Sequence, residues 1–186
     1  MASARRIGEV HANATDSMRT RVGLGYDVHA FGGPGPLVLG GVTIEGGGPG
    51  GAGLVGHSDA DAVAHAVADA VLGASDLPDL GTLFPATDAQ WRGVSSIDLL
   101  RDVAQRVRAA GWWVGNVDVV VAAEEPKLAP HVDAMAANLV AALQAAAEPM
   151  GEGIHVRVKP KRGEGIGAIG RVEGVAVWAV ALLDRG

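Results

Sequence analysis

Two short segments carry most of the side chains that could bind a metal ion. The first contains Asp27 and His29, and the second is HSDADAVAH, from His57 to His65. Residues two apart on a β-strand point to the same face, so a strand here would project Asp27 and His29 together. One imidazole from the second segment would complete a set of three nitrogen and oxygen ligands. Three such ligands leave a fourth position open, which is typical of a catalytic zinc site.

These ligands need a strand and a helix to position them. Residues 21–31 (RVGLGYDVHAF) predict the strand, and residues 58–73 predict a helix because their apolar residues repeat at helical spacing. Ser58 would cap this helix and Asp61 would occupy the capping-box position. His57, Asp61 and His65, four residues apart, would then lie on one stripe.

A competing interpretation is that these histidines are ordinary core or surface residues. An Asp-x-His motif alone occurs by chance in many proteins. The second segment, rich in His and Asp, is what favours a metal site over that interpretation.

Composition narrows the possible functions. The chain of 186 residues predicts one domain with a real core, and the absence of cysteine leaves metal binding to His, Asp and Glu. A net charge of -6 argues against a nucleic acid or an anionic membrane as partner. No apolar run approaches the ~20 residues of a membrane span. Residues 1–20 lack the apolar core of a secretion signal. We therefore expect a cytoplasmic protein with a disordered extension at 1–19 and a single domain at 20–186.

The remaining pattern predicts a mixture of strands and helices. Residues 46–53 form a glycine run and predict a mobile connection, and residues 75–93 predict an irregular stretch. Gly111 suits the end of a helix that starts near Ser95. The other predicted elements are strands at about 36–44, 112–123, 154–159 and 172–183, and a helix at 130–147.

Residues 165–170 match the G-x-G-x-x-G pattern of dinucleotide-binding proteins. That fingerprint requires a following helix and an acidic residue ~20 positions further on. The residues after Gly170 instead alternate and are β-branched, as in a strand. The segment therefore predicts a turn whose glycines let the backbone approach a ligand.

Five ordered blocks resemble the 2-C-methyl-D-erythritol 2,4-cyclodiphosphate synthase family, a zinc-dependent family of the non-mevalonate isoprenoid pathway, over about residues 20–184. The blocks are GYDVHAF (25–31), HSDADAVAH (57–65), DLGTLFPATD (79–88), NVDVVVAAEEPK (116–127) and EGIGAIGRVEG (164–174). The resemblance implies an α+β fold. It would be a mixed β-sheet with helices packed on one face, in a ferredoxin-like or chorismate-mutase-like sandwich, assembled as a homotrimer with active sites between subunits.

The resemblance also implies a role for individual residues. Zinc would be bound by Asp27, His29 and His65. His65 is then the member of the predicted helix stripe that binds the metal, and Glu164 would hold Mg²⁺ or Mn²⁺. His57 and Ser58 would contact substrate phosphate, Asp79 and Gly81 the sugar alcohol, and the turn from Ala123 to Lys127 the cytidine. The remaining substrate-binding residues on this basis are Phe84, Thr87, Asp88, Pro126, Lys161, Arg162 and Arg171.

The implied reaction is an intramolecular phosphoryl transfer, which makes the enzyme a phosphorus-oxygen lyase. 4-Diphosphocytidyl-2-C-methyl-D-erythritol 2-phosphate would cyclise to 2-C-methyl-D-erythritol 2,4-cyclodiphosphate and release CMP. Two alternatives remain: a zinc-dependent phosphohydrolase that uses the same ligands, and a non-catalytic trimeric ligand-binding homologue.

The chain departs from the family pattern near the nucleotide end and the trimer axis. Lys161-Arg162-Gly163 replaces a run of threonines, Ala86 replaces an Asp, Ala168 stands where Phe is frequent, and Val172 replaces a glycine. Cations in place of hydroxyl groups could shift recognition toward phosphate. The alternative is that they are a tolerated subfamily variation.

Overall fold

The fold is built on a mixed five-stranded sheet. The computed structural model describes residues 19–144 and 153–185, so the predicted extension at 1–19 lies almost entirely outside the described residues. The strands of this sheet are β1 (Thr20–Gly33), β4 (Gly53–Leu54), β5 (Trp113–Ala122), β6 (His155–Lys161) and β7 (Gly174–Asp184). Their order is β4-β1-β7-β5-β6, and the β5/β6 pair is parallel while the other pairs are antiparallel. The predicted α+β class is therefore confirmed.

The three longer helices are α1 (Ala62–Ser75), α3 (Ser96–Ala109) and α4 (Val132–Gln144). Helix α1 packs on β1 and β7, α4 packs on β6, and α3 packs against both of these helices. Two glycines of β1 allow α1 to approach closely. A Cβ atom at Gly23 would lie 2.0 Å from the Ala70 carbonyl oxygen, and one at Gly25 would lie 1.9 Å from that of Ala66. The backbones therefore touch at positions where any other residue would clash. This close packing brings α1 against the strand that carries Asp27 and His29.

The opposite face of the sheet exposes a row of large apolar side chains. Val22 is 64% exposed and Leu24 is 66% exposed on β1. Leu24 pairs with Val180, and Tyr26 pairs with Trp178, in the β1/β7 register. Monomeric proteins rarely expose contiguous apolar surface of this kind. We call this row, completed by Val28 and Leu182, the outer apolar face.

Helix α1 begins at Ala62 and is capped by Asp61 rather than by Ser58, so the predicted helix start was wrong. The Asp61 side chain is fully buried, and its Oδ1 accepts the Val63 and Ala64 N–H groups at 3.0 and 3.1 Å. The same carboxylate accepts Gly40 N–H at 2.8 Å and Gly41 N–H at 2.6 Å. Asp61 is a stronger cap than Ser58 because its carboxylate accepts N–H groups from both the first helical turn and the distant Gly40–Gly41 turn. His57 therefore precedes the helix, and the predicted stripe of His57, Asp61 and His65 does not exist.

The stretch predicted as one strand at 36–44 is a small separate hairpin. Its strands are β2 (Val38–Leu39) and β3 (Val42–Thr43), joined by Gly40 and Gly41 with φ of +56° and +69°. These left-handed conformations favour glycine and turn the chain back on itself. A single strand was the wrong prediction because the Asp61 carboxylate fixes this turn from a distant part of the chain.

Other boundaries shift by a few residues. The stretch predicted as irregular contains α2 (Leu80–Leu83) and a 3₁₀ turn at Ala89–Trp91. The glycine-rich turn at 165–170 contains the four-residue helix α5 (Gly167–Gly170) before β7 begins. The last residues of the helix predicted at 130–147 lie outside the described residues. Among the described helices, none combines the length and the apolar character that crossing a bilayer requires.

Candidate metal centre and substrate cavities

Asp27, His29 and His65 converge at the end of β1 that faces α1. Asp27 and His29 share this face of the strand, and His65 lies in the first turn of α1, where its N–H donates to the Asp61 carbonyl at 3.1 Å. Asp27 Oδ2 lies 3.0 Å from His29 Nε2 and 3.0 Å from His65 Nδ1. One ligand atom from each residue lies within 4.8 Å of the others, so the group could hold a metal ion.

The second nitrogen of each imidazole also has a partner. His29 Nδ1 lies 2.6 Å from the Val55 carbonyl oxygen, which can only accept, so Nδ1 carries a proton and Nε2, which faces Asp27, is the nitrogen that could bind a metal. His65 Nε2 lies 2.9 Å from Ser96 Oγ and 3.1 Å from Ser58 Oγ. Two imidazole nitrogens and a carboxylate oxygen match the donor set of a catalytic zinc site.

The charges within the group reinforce one another. Burial favours a higher pKa for Asp27, but hydrogen bonds and the positive charge of His29 and His65 outweigh it, so the pKa lies well below its usual range. The hydrogen bond to Asp27 raises the pKa of His29, against the effect of burial. Asp27 is therefore ionised at neutral pH and available as a metal ligand.

A cavity of about 250 Å³ opens beside this group. It is lined by His57, Ser58, Gly81 and Phe84, together with both histidines of the triad. His57 Nε2 is buried and has no hydrogen-bond partner among the described residues, so it is available to a ligand. We call this cavity the metal-side cavity.

Three other predicted substrate residues do not line the metal-side cavity. The Asp79 carboxylate caps α2 by accepting Thr82 N–H at 2.7 Å, and its hydrogen bonds to Thr82 lower its pKa. Asp88 caps the 3₁₀ turn by accepting Gln90 N–H at 3.0 Å, and Thr87 is exposed beside it. Each of these two carboxylates thus accepts a hydrogen bond from a backbone N–H group close to it in sequence.

Sequence reasoning missed several residues of this cavity. Trp91 packs edge-to-face on Phe84 with ring centroids 5.0 Å apart, and Leu80, Ala86 and Leu99 complete the lining. Ser96, which contacts His65 Nε2 but does not line the cavity, was also missed, because a serine at a helix start is readily interpreted as a cap. The positions of the apolar residues around Trp91 in the sequence do not indicate a cavity, because they come together only in the folded chain.

A second cavity of about 190 Å³ lies at the ends of β5 and β6. Parallel pairing places Ala122 opposite Lys161, so the segments that follow both strands meet. The predicted residues Ala123, Pro126, Lys127, Lys161 and Arg162 all line this nucleotide-side cavity. It shares no lining residue with the metal-side cavity.

Glu124 lies inside the predicted turn from Ala123 to Lys127, although sequence reasoning assigned it no role of its own, and it lines the nucleotide-side cavity. Its carboxylate accepts Arg162 Nη2 at 2.5 Å and Gly163 N–H at 2.9 Å. The hydrogen bond from Arg162 lowers the pKa of Glu124, and the same contact raises the pKa of Arg162. Arg162 is therefore already paired with a carboxylate on the same chain.

Glu164 and Arg171 lie outside both cavities. Glu164 is exposed in the turn after Gly163 and adopts a left-handed φ of +52°. Arg171 Nε donates to Glu173 Oε1 at 2.7 Å on the exposed end of the same loop. The structure thus brings together the metal ligands and the nucleotide-side residues, each in its own group, whereas Glu164 and Arg171 line neither cavity.

The family of the chain follows from its sequence. Residues 20–184 match the profile of the YgbB family. The chain belongs to the YgbB family. A 2-C-methyl-D-erythritol 2,4-cyclodiphosphate synthase from Bordetella petrii is 50% identical over 165 residues, which cover 89% of this chain and 96% of that protein. The family resemblance predicted from the five sequence blocks is therefore confirmed.

Some YgbB relatives are longer proteins. The bifunctional enzyme IspD/IspF of Anaeromyxobacter dehalogenans is 51% identical over 163 residues, which cover 88% of this chain and 39% of that protein. The chain thus spans about two fifths of the length of the bifunctional relatives it matches.

Solved structures agree with this assignment. The bifunctional IspDF from Campylobacter jejuni superposes with a TM-score of 0.79 at 37% identity, over 91% of this chain and 43% of that one. A CDP-bound 2C-methyl-D-erythritol-2,4-cyclodiphosphate synthase gives a TM-score of 0.73 at 35% identity, over 88% of this chain and 100% of that one.

Proposed function

We propose that the protein converts 4-diphosphocytidyl-2-C-methyl-D-erythritol 2-phosphate to 2-C-methyl-D-erythritol 2,4-cyclodiphosphate and CMP, in isoprenoid precursor biosynthesis. The observation that carries this proposal is the convergence of Asp27, His29 and His65 beside a cavity that also contains His57 and Ser58. Relatives of the YgbB family that are about half identical to this chain bear the name of this synthase.

The metal-side cavity would hold the phosphate that is attacked. Zinc bound by Asp27, His29 and His65 would supply positive charge that polarises the β-phosphate. The Ser58 hydroxyl and the unpartnered His57 Nε2 would bind phosphate oxygens. Phosphoryl transfer needs mainly positioning and charge neutralisation, which is what these groups provide.

The covalent step balances without a protein base. An ionised oxygen of the 2-phosphate attacks the β-phosphorus, and the bond from that phosphorus to the bridging oxygen breaks. CMP leaves with the electron pair of that bond. Because the nucleophile is already ionised, no side chain has to remove a proton.

The nucleotide-side cavity would bind the cytidine end of the substrate. We propose that Ala123, Pro126 and Lys127 contact the nucleoside and that Lys161 and Arg162 lie next to its phosphates. The CDP complex of the Plasmodium falciparum relative, 30% identical with a TM-score of 0.71, supports a cytidine nucleotide site in this fold. Glu164 would hold a Mg²⁺ or Mn²⁺ ion against the diphosphate.

We assign the remaining substrate contacts from the same resemblance. Asp79 and Gly81 would hold the sugar alcohol, and Phe84 would pack beside it in the metal-side cavity. Thr87, Asp88 and Arg171 would have to reach the substrate from outside both cavities. The cytoplasmic location also stays a prediction.

We propose that the protein is a homotrimer whose active sites are shared between subunits. The outer apolar face gives each chain a surface to bury against other copies. A cyclic trimer repeats one heterologous contact three times, so the metal-side cavity of one subunit could meet the nucleotide-side cavity of the next. The separate linings of the two cavities within one chain are consistent with this arrangement. The ferredoxin-like or chorismate-mutase-like assignment of the sandwich stays a prediction.

The proposed activity is tested by following the products with ³¹P NMR. Purified protein with Zn²⁺ and Mg²⁺ is incubated with the diphosphocytidyl substrate. We expect the coupled signals of a cyclic diphosphate and one equivalent of CMP. Release of inorganic phosphate or a linear monoester would indicate a phosphohydrolase instead. Tight binding of the substrate without any turnover would indicate a non-catalytic homologue.

A further inference from the structure

We propose that Ser96 and Asp59 are positioning residues that fix the ring of His65 for metal binding. The inference rests on the proposed metal site and assigns it a chain of outer contacts that leads from the HSDADAVAH block to Ser96, outside the sequence motifs. Asp59 lies in the loop before α1, and Ser96 is the first residue of α3. Two segments that lie 31 residues apart in sequence therefore meet behind His65.

The contacts form a continuous chain from a carboxylate to the proposed metal ligand. Ser96 is 1% exposed, and its Oγ lies 2.9 Å from His65 Nε2. The Ser96 hydroxyl donates to Asp59 Oδ1, and Ser96 N–H lies 3.1 Å from each Asp59 oxygen. Asp59 thus accepts both donors of one buried serine.

The chemistry of these groups fixes the direction of each hydrogen bond. An ionised carboxylate can only accept, so the Ser96 hydroxyl proton points to Asp59. The oxygen of Ser96 then offers a lone pair to His65, and His65 Nε2 must carry the proton. When a metal is bound, His65 Nδ1 would then offer it the lone pair, and this is the atom that faces Asp27 at 3.0 Å. Outer partners of this kind orient metal-bound histidines and select their tautomer.

Ser58 is a less suitable partner for this purpose. Its Oγ lies 3.1 Å from His65 Nε2, but it also accepts Ala60 N–H at 3.2 Å and lines the metal-side cavity. Ser96 does not line that cavity. Ser58 Oγ also lies 3.1 Å from Ser96 Oγ, so its hydroxyl can donate either to Ser96 or to a ligand in the cavity.

The two histidines of the triad differ in how they are held. His29 donates to the backbone carbonyl of Val55, a contact that a side-chain substitution does not remove. Within the described part of the chain, His65 Nε2 contacts only side chains, the shorter contact being that to Ser96, which Asp59 holds in place. Substitutions at these two positions therefore change one metal ligand and leave the other in place.

The test compares Zn²⁺ affinity in Ser96→Ala and wild-type protein by competition with a chelator. We expect affinity to fall about 10- to 100-fold, the usual effect of removing an outer partner of a metal-bound histidine. Ser75→Ala is the matched control, because Ser75 is also a buried serine and its hydroxyl donates to the carbonyls of Val71 and Leu72 within α1. We expect Ser75→Ala to bind Zn²⁺ as wild type does.

A second variant and a spectroscopic readout cover the case in which Ser96→Ala does not fold. Asp59→Asn keeps the shape but removes the charge, and we expect it to weaken Zn²⁺ binding as well. In zinc-loaded wild-type protein, long-range ¹⁵N–¹H NMR should show His65 as the Nε2–H tautomer. Unchanged affinity in the folded variants, or a His65 ring protonated on Nδ1, would overturn the inference.

These outcomes differ from failure of the metal site itself. If wild-type protein binds no Zn²⁺, or His65→Ala binds it equally well, the metal assignment under the proposed function is wrong, and the inference falls with it. If wild-type protein binds Zn²⁺ through His65 but Ser96→Ala binds it equally tightly, only the positioning role is wrong.

Discussion

Replacing Asp61 with alanine should destabilise the protein strongly, although Asp61 binds neither metal nor substrate in our proposal. Its buried carboxylate accepts four backbone N–H groups, two in the first turn of α1 and two in the Gly40–Gly41 turn. The first-turn amides have no intrahelical partner, so the cap is their only acceptor in the protein. Asp61→Ala removes all four contacts at once.

The magnitude follows from these contacts. Loss of a helix cap costs about 0.5–2 kcal/mol, and each buried donor left unpaired costs about 1–3 kcal/mol. Water entering the vacated space would satisfy some donors, so we expect a loss of about 3–5 kcal/mol for Asp61→Ala. Asp61→Asn keeps one acceptor oxygen and can retain the three bonds made by Oδ1. Only the Gly41 bond is lost, so we expect about 1–3 kcal/mol.

The assay is urea unfolding of metal-free protein at one fixed protein concentration, because an oligomer gains stability by mass action. Asp88→Ala is the control, since Asp88 also caps a turn but does so at the surface, and it should change the unfolding midpoint little. The order wild type, Asp61→Asn, Asp61→Ala should hold for decreasing stability. If Asp61→Ala unfolds within about 1 kcal/mol of wild type, the carboxylate does not join the helix to the turn as we argue.

Three further predictions concern the proposed site. His65→Ala should lose most bound zinc by metal analysis, because it removes one of three protein ligands; full occupancy would contradict the ligand assignment. Glu164→Gln should keep its zinc and its fold yet need far more Mg²⁺ or Mn²⁺ for turnover, since the amide keeps the shape without the charge; an unchanged titration curve would refute this role. Mixed trimers of His65→Ala with a deletion of residues 125–127 should regain about a quarter of wild-type activity, because about a quarter of the interfaces pair two intact halves. Mixed trimers that form but stay inactive would place the site within one chain.

Several predictions from sequence depended only on short-range patterns, and these agree with the structure. Asp27 and His29 share a face because a strand alternates every second residue, and any strand there gives this result. The helix that starts at Ser96 ends at Ala109, and Gly111 adopts the left-handed φ of +83° expected after a helix end.

The predictions that failed depended on contacts between distant residues. The start of α1 is decided by Asp61, whose carboxylate joins the helix to Gly40 and Gly41 about twenty residues earlier. The local sequence predicted Ser58 as the cap and Asp61 as the capping-box residue. It contains no information about the distant turn, so it could not identify Asp61 as the cap. The same limit hid Ser96, whose contact with His65 spans 31 residues.

The sequence by itself thus determined the chemical types at the site, the strand and helix that carry them, and membership of the YgbB family. The tertiary structure decided which atoms meet. It placed His29 Nε2 and His65 Nδ1 next to Asp27 Oδ2, and it placed Ser96 and Asp59 behind His65. It also separated the metal-side residues from the nucleotide-side residues within one chain. The physical reason is that periodicity fixes the direction of a side chain relative to its own element, whereas distances between elements depend on packing. In this protein, that packing is set by the close approach of α1 to two glycines of β1.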